Sequence, residues 1–470
     1  MKKILIFIVC VFPVGSLFAQ TIPVKLKSAF QQFESDSQLT HAISSLYVID
    51  AKNGEVIFEK NSQVGLAPAS TQKVITTVTA FELLGNDYRY KTELGYNGNI
   101  DKGVLNGDLF ITASGDPTLG SWRWGSTKPD SAFGEFILAL NKKKISKIKG
   151  KIFINAPKFS FQTTPDGWIW QDIGNYYGAG VWGINWRENQ YDLVLNAGNK
   201  VGEETEIVET IPELQGAILH NEVKTAEKGT GDNAYIYMAP YSISGFTDGT
   251  IPLGDKRFTI SGATPNPPEQ FASELKKTFE KNNIKIGNGI SFYFEKQVNK
   301  QKLQPQTGSI FTHFSPPLDS IIYWFNKKSI NLYGEALIKT LAYKKQAYAR
   351  TDSGVAIVKN FWKEKGLDES ELNIIDGSGL SPQNRVTTHS QVEILKYAKG
   401  RPWFLSFYHS LPEYNGMIMK SGTISDVKGF CGYHTSKDGI EYIFSFLVNN
   451  YNGSSSLLVH KMYEVLDLLK

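Results

Sequence analysis

The chain has 470 residues, with 50 Lys and Arg against 46 Asp and Glu, a formal charge of +4. A charge so near balance gives no argument for nucleic acid, and the length allows two or three domains with ample surface to bury in each. The seven histidines are scattered, without the spacing of a helix-borne metal site, so a metalloenzyme is not expected.

Lys2 and Lys3 precede a short apolar run, Ile4 to Val14, and "SLFAQ" offers cleavage after Ala19. The run is too short to span a bilayer, so residues 1–19 read as a removable export signal, with an uncleaved amphiphilic start as the alternative. Cleavage would lower the charge from +4 to +2 by removing the two lysines, and would take Cys10 with them. Cys431 would then stand alone, so no intramolecular disulfide is expected despite export.

"VKLKSAFQQFESD" follows as an amphipathic helix. "ISSLYVIDAKNGEVIFEKN" then reads as two strands around the turn Lys52-Asn53-Gly54. In "APASTQKVITTVTA" a turn at Pro68 delivers the chain into a helix, and Val74, Ile75, Val78, Phe81 and Leu84 recur at helical period. Ser70 and Lys73, at i and i+3, share one face of it. Alone, such a pair reads as a first-turn hydroxyl and a solvated amine.

From about residue 90 to 300 short strands predominate, with helices expected at "SAFGEFILALNKKK" and "PPEQFASELKKTFEKNN". From about 310 long helical patterns resume in "SINLYGEALIKTLAYKK" and "SGVAIVKNFWKEKG". The chain ends with two strands around Lys437-Asp438-Gly439 and the helix "SSLLVHKMYEVLDLLK". This order predicts a signal at 1–19, one α/β domain in two pieces at 20–92 and 301–470, and a β-rich insert of one or two smaller domains at 93–300.

Three later stretches bear on Ser70. Ser329-Ile330-Asn331 opens a helix, and Lys420-Ser421-Gly422-Thr423 stands at the edge of a strand. "IDGSGLSPQNRVT" packs Asp376, Ser378, Ser381, Asn384 and Arg385 into one loop. Each has an ordinary explanation as a cap, a polar strand edge or an exposed turn. Jointly and in order they resemble the signatures Ser-x-x-Lys, Ser-x-Asn and Lys-[Thr/Ser]-Gly of the active-site serine penicillin-recognising enzymes. The long insert, "SGDPTLGS", "DGSGLS", "NRVT" and the ending "KSGT…VKGFCGY…FSFLVN" narrow the resemblance. They are similar to the serine D-alanyl-D-alanine carboxypeptidase/endopeptidase family, the class C low-molecular-mass penicillin-binding proteins, from about residue 40 to the C-terminus.

That resemblance implies a β-lactamase/transpeptidase-like α/β fold, an antiparallel sheet flanked by helices. It also implies periplasmic action on peptidoglycan stem peptides, β-lactam antibiotics as inhibitors, and no cofactor. Ser70 would be the nucleophile and Lys73 its base, neutral through burial and the nearby Lys420. Ser329 would pass a proton to the leaving amine, and Asn331 would offer its amide to the substrate backbone and orient Lys73. Lys420 would hold the terminal carboxylate with the hydroxyls of Ser421 and Thr423, and Gly422 would leave the strand bare for substrate. The N–H groups of Ser70 and Thr423 would form the oxyanion hole. Asn155 occupies the place where relatives often carry an Asp that contacts the free amino end of a diaminopimelate side chain, and Pro382 replaces a frequent basic residue. A weak ionic grip on that side chain is therefore expected. The rivals are a class A β-lactamase-like hydrolase, which lacks the insert, and a catalytically weak peptidoglycan-binding or β-lactam-sensing protein. Oligomeric state and a loose membrane association are left open by the sequence.

Overall fold

The computed structural model describes residues 21–470 except 255, 294, 296–299, 301, 303, 304, 346 and 347. The export segment read at residues 1–19 lies outside the described residues.

The two ends of the chain build one antiparallel sheet. Its strand order is Val56–Lys60, Ile43–Asp50, Glu441–Asn449, Val427–Thr435, Met417–Ile424 and Glu413–Tyr414. The first two strands are joined through the expected turn, where Gly54 has a φ of +77° that a side chain would disfavour. Alternation along Ile43–Asp50 sends Leu46 and Val48 to one face and Tyr47 and Ile49 to the other. Leu46 and Val48 pack with Phe30, Phe446 and Met462 under helices Ile22–Glu34 and Ser455–Leu466. Tyr47 and Ile49 pack with Val74, Val78, Leu337 and Leu395, from helices Lys73–Leu84, Asn331–Lys344 and Thr388–Lys399. Helix Lys73–Leu84 is thus enclosed on every side, and Lys73 to Phe81 are buried without interruption. That enclosure matters for the chemistry of its first residue.

Between these pieces lies a five-stranded sheet in the order Ile290–Phe292, Ile152–Asn155, Leu109–Ala113, Lys91–Tyr96 and Gly308–Phe314. Lys91–Tyr96 begins before residue 93 and its partner Gly308–Phe314 lies beyond residue 300, so this sheet passes both expected boundaries. Helices Pro129–Lys142 and Pro267–Lys281 cover it, burying Phe133, Phe136, Phe271 and Phe279. A second apolar core, around Tyr191, Leu193, Ile236 and Ile260, joins a three-stranded and a four-stranded sheet built from residues 190–263.

Candidate active site

Ser70 sits on the 3₁₀ turn Ala69–Gln72 that runs into helix Lys73–Leu84. Ala69 before it has a φ of +47°, a conformation disfavoured for a residue with a Cβ. The turn is pinned from both sides. Thr71 Oγ1 donates to the Pro68 carbonyl at 2.7 Å, and Gln72 Nε2 donates to the carbonyl and Oδ1 of Asp376 at 2.7 and 3.0 Å.

Lys73 is 0% exposed. Its Nζ donates to Ser70 Oγ at 2.8 Å, Asn331 Oδ1 at 2.7 Å and the Ser378 carbonyl at 2.8 Å. Burial, and then the charge of Lys420, hold its ammonium well below the usual lysine range, while Asp376 and Glu335 pull the other way. Asn331, at the start of helix Asn331–Lys344, turns its Nδ2 to the Tyr177 carbonyl at 2.8 Å. Ser329, two residues earlier, has a φ of +56° and lines the same cavity as Ser70. Its hydroxyl makes no hydrogen bond among the described residues. It is not a helix cap: Ile330 holds that position.

Strand Met417–Ile424 supplies the opposite wall. It is paired with Glu413–Tyr414 only at Met417 and Ile418, so the edge from Lys420 to Ile424 carries no strand on that side among the described residues. Such an edge can take an extended peptide as an added strand. Lys420 and Gly422 share a strand face. A Cβ on Gly422 would lie 2.6 Å from the Pro68 carbonyl oxygen, 2.8 Å from Thr71 N and 2.9 Å from Ser70 N. The bare face of Gly422 therefore lies against the nucleophile turn. Lys420 is 1% exposed and donates to the Ser421 carbonyl at 2.7 Å. Burial brings its ammonium down to about 7; Cys431 opposes this, and Lys428 adds a smaller push in the direction of burial. Thr423 opens to the cavity, and Lys428 Nζ donates to its Oγ1 at 2.7 Å. Ser421 is half-buried on the alternate face.

Ser70, Ser329, Asn331 and Thr423 line one cavity of about 470 Å³, with Lys73, Lys420 and Gly422 beneath it. Asn155 is not brought there. It ends strand Ile152–Asn155, and its side chain lines a separate cavity with Trp182 and Tyr241. Among the described residues, the carboxyl lining the catalytic cavity is that of Asp172, which is followed in the chain by Tyr176 and Tyr177, lining it too. Burial pushes Asp172 up to about 6, while a hydrogen bond with Tyr177 works in the opposite direction.

Two further groups were not singled out from the sequence. Arg123 lines the cavity at 15% side-chain exposure and donates from Nε and Nη2 to the fully buried Glu188 at 2.8 and 3.0 Å. Tyr333 Oη also donates to Glu188, at 2.7 Å. Glu335, on the helix that starts with Asn331, accepts the N–H groups of Gly377 and Ser378 at 2.9–3.1 Å. The Asp376 carboxylate gathers the rest of that loop, accepting from the N–H groups of Gly379 and Ser381 at 2.8 and 2.7 Å.

Comparison with known proteins bears on the family and the fold. The chain is 25% identical over 428 residues to the D-alanyl-D-alanine carboxypeptidase DacB of Haemophilus influenzae, covering 86% of this chain and 85% of the relative. It is 23% identical to the D-alanyl-D-alanine carboxypeptidase of Actinomadura sp. strain R39, over 93% of this chain and 83% of the relative. The crystal structure of penicillin binding protein 4 (dacB) from Haemophilus influenzae superposes with a TM-score of 0.78 at 21% identity, covering 95% of this chain and 99% of that one. A second structure of that protein, complexed with a β-lactam, gives a TM-score of 0.73 at 20% identity, over the same shares of each chain. These two establish the shared fold, an α/β transpeptidase-like architecture. Residues 26–413 match the D-Ala-D-Ala carboxypeptidase 3 (S13) family, and the chain belongs to it.

Proposed function

We propose that this protein is a serine-type D-Ala-D-Ala carboxypeptidase/endopeptidase that cleaves peptidoglycan stem peptides through an acyl-enzyme on Ser70. One observation carries the assignment of roles. Of the three hydrogen-bond partners of Lys73, Asn331 Oδ1 and the Ser378 carbonyl can only accept, whereas Ser70 Oγ can also donate. Once Lys73 is an amine, its two N–H groups stay with the two fixed acceptors and its lone pair faces the Ser70 hydroxyl. A buried lysine with a depressed pKa is then a base already aimed at its nucleophile.

The reaction follows from that arrangement. The substrate lies along the open edge of Met417–Ile424, with its terminal carboxylate toward Lys420 and Thr423. Ser70 Oγ attacks the carbonyl of the penultimate residue as its proton passes to Lys73. The resulting oxyanion is held by the N–H groups of Ser70 and Thr423, a kind of stabilisation worth about 10²–10³-fold per donor. Collapse breaks the peptide bond, and Ser329 relays the proton from Lys73 to the departing amine. Water then hydrolyses the ester and frees Ser70. A β-lactam acylates the same oxygen and leaves no diffusible amine, so the adduct persists. Asp172 lines the same cavity, and we assign it the ammonium of a substrate side chain.

We read residues 1–19 as an export signal that delivers the enzyme to the periplasm. Among the described residues no helix is long and apolar enough to cross a membrane. The test is labelling with a fluorescent penicillin followed by mass mapping of the adduct. The expected result is one adduct on Ser70, absent in Ser70→Ala; an adduct on Ser329 or Ser378 would overturn the assignment.

A further inference from the structure

Helix Asn331–Lys344 holds three buried polar side chains one turn apart, Asn331, Glu335 and Lys339. Asn331 receives Lys73 directly. Lys339 donates to the carbonyls of Gln162 and Val181 at 2.6 and 3.1 Å. Glu335 lies between them, 0% exposed, and accepts from the loop: Gly377 N at 3.0 and 3.1 Å, Ser378 N at 2.9 Å, and the Ser378 side chain as well.

The clamped loop is the one whose Ser378 carbonyl meets Lys73. Backbones touch at its seat, since a Cβ on Gly377 would lie 2.4 Å from the Gly334 carbonyl oxygen. Thr76 Oγ1, one turn past Lys73, donates to the Gly377 carbonyl at 2.6 Å. Both fixed acceptors of Lys73 are thus held by one helix, Asn331 directly and Ser378 through Glu335. Among the described residues no cation lies within salt-bridge distance of this carboxyl, and a buried charge costs far more than a neutral acceptor, so a carboxylate is an unusual choice for a merely structural clamp.

We propose that Glu335 is a positioning residue for the catalytic base: its carboxylate aims the Ser378 carbonyl at Lys73, and its charge sets how basic Lys73 is. This rests on the reading of Lys73 as the general base. The charged groups acting on Lys73 are Lys420 from strand Met417–Ile424, Asp376 from the loop and Glu335 from the helix. Lys420 favours the amine, and the two carboxylates favour the ammonium that forms as Ser70 gives up its proton. Burial and Asp376 push Glu335 up, while the hydrogen bonds from Ser378 and Gly377 and the charge of Lys73 favour its ionised form. Ionised Glu335 strengthens Lys73 as a base and steadies the ammonium in the transition state. Neutralising Glu335 permanently leaves Lys73 deprotonated at lower pH and less able to take the proton.

The experiment is the second-order rate of acylation by a penicillin from pH 5 to 10, with adduct mapping, for wild type, Glu335→Gln and Glu335→Asp. For Glu335→Gln the acid limb is expected to move down by about one pH unit or more and the plateau to fall roughly 10–100-fold, within the range of base catalysis, with the adduct still on Ser70. Glu335→Asp keeps the charge and shortens the reach, so its acid limb should stay with wild type while the plateau falls. An acid limb unmoved in Glu335→Gln, whatever its thermal stability, would overturn the proposal. If Glu335→Gln does not fold, Glu335→Asp decides: a limb displaced from wild type counts against the assignment. Absence of any Ser70 adduct in wild type would instead overturn the reading of the site itself.

Discussion

Lys73 Nζ lies 2.7 Å from Asn331 Oδ1, and this contact fixes which way the Asn331 amide points. Its nitrogen is turned to the Tyr177 carbonyl at 2.8 Å, so both ends of the amide are engaged within the protein. The role expected from the sequence, an amide offered to the substrate backbone, falls to the second N–H of that nitrogen, beside the contact with Tyr177. The contact with Lys73 needs no rearrangement.

A substitution that keeps the shape but adds charge tests this. Asn331→Asp would place a carboxylate against the lysine, stabilise the ammonium and deprive Ser70 of its base. Acylation by penicillin at neutral pH should fall by about 10²-fold or more, within the range of base catalysis, and recover in part as pH rises. A loss that is flat with pH would point to substrate contact as the main role of Asn331.

Gly422 gives a purely steric prediction. In Gly422→Ala the new methyl carbon would overlap the backbone at Pro68, Ser70 and Thr71, which cannot retreat as a flexible side chain would. The strand must lift off the nucleophile turn, separating the N–H groups of Ser70 and Thr423. Acylation should slow by about 10²–10³-fold, the worth of one misplaced oxyanion donor. Near-normal acylation in Gly422→Ala would show that those two N–H groups do not act together.

The order of the three signatures was legible in the sequence because each depends on local spacing. Ser70 and Lys73 are one turn apart, Ser329 and Asn331 flank a helix start, and Lys420 and Gly422 share a strand face. The hairpin at Lys52-Asn53-Gly54 was legible for the same reason. What escaped were residues whose role depends on where a long connection returns. Asp172 and Arg123 sit in no repeating pattern and reach the cavity only through the fold of the insert. Glu335 reads from the sequence as a polar residue on a helix, and its importance comes from a loop some 42 residues later in the chain. Asn155 was placed by likeness of the strand around it, yet the strand ends at another cavity.

Lys420 sets a pH limit opposite to that of Lys73. Gripping a carboxylate requires the ammonium, and burial brings Lys420 down to about 7 in the free enzyme. Raising the pH through that value removes its charge and weakens capture of substrates with a free terminal carboxylate. The same rise frees more Lys73 as a base. For a D-Ala-D-Ala peptide, kcat/KM should therefore rise and then fall with pH, the falling limb near 7. A peptide whose terminal carboxylate is amidated should keep the rising limb and lose the falling one. If both substrates share the falling limb, Lys420 acts through the basicity of Lys73 and does not grip the carboxylate.

Asp172 and Asn155 make a matched pair of tests for side-chain recognition. Asp172 lines the catalytic cavity and Asn155 lines another. A carboxylate facing an ammonium makes a charge-assisted hydrogen bond about twice as strong as a neutral one. Asp172→Asn should lower kcat/KM for peptides with a free side-chain ammonium by about 5–30-fold, and leave acetylated ones nearly unchanged. Asn155→Asp should alter neither by more than about 2-fold, since separate sites act independently. The sign with pH follows from burial, which pushes Asp172 up to about 6. Above that value it is ionised and favours the ammonium; as pH falls through it the carboxyl takes a proton and the preference for the free amine disappears. The measurement is kcat/KM for the free and acetylated peptides from pH 5 to 8, on wild type and both variants. A preference that survives in Asp172→Asn and vanishes in Asn155→Asp would return the contact to the strand on which the sequence had placed it.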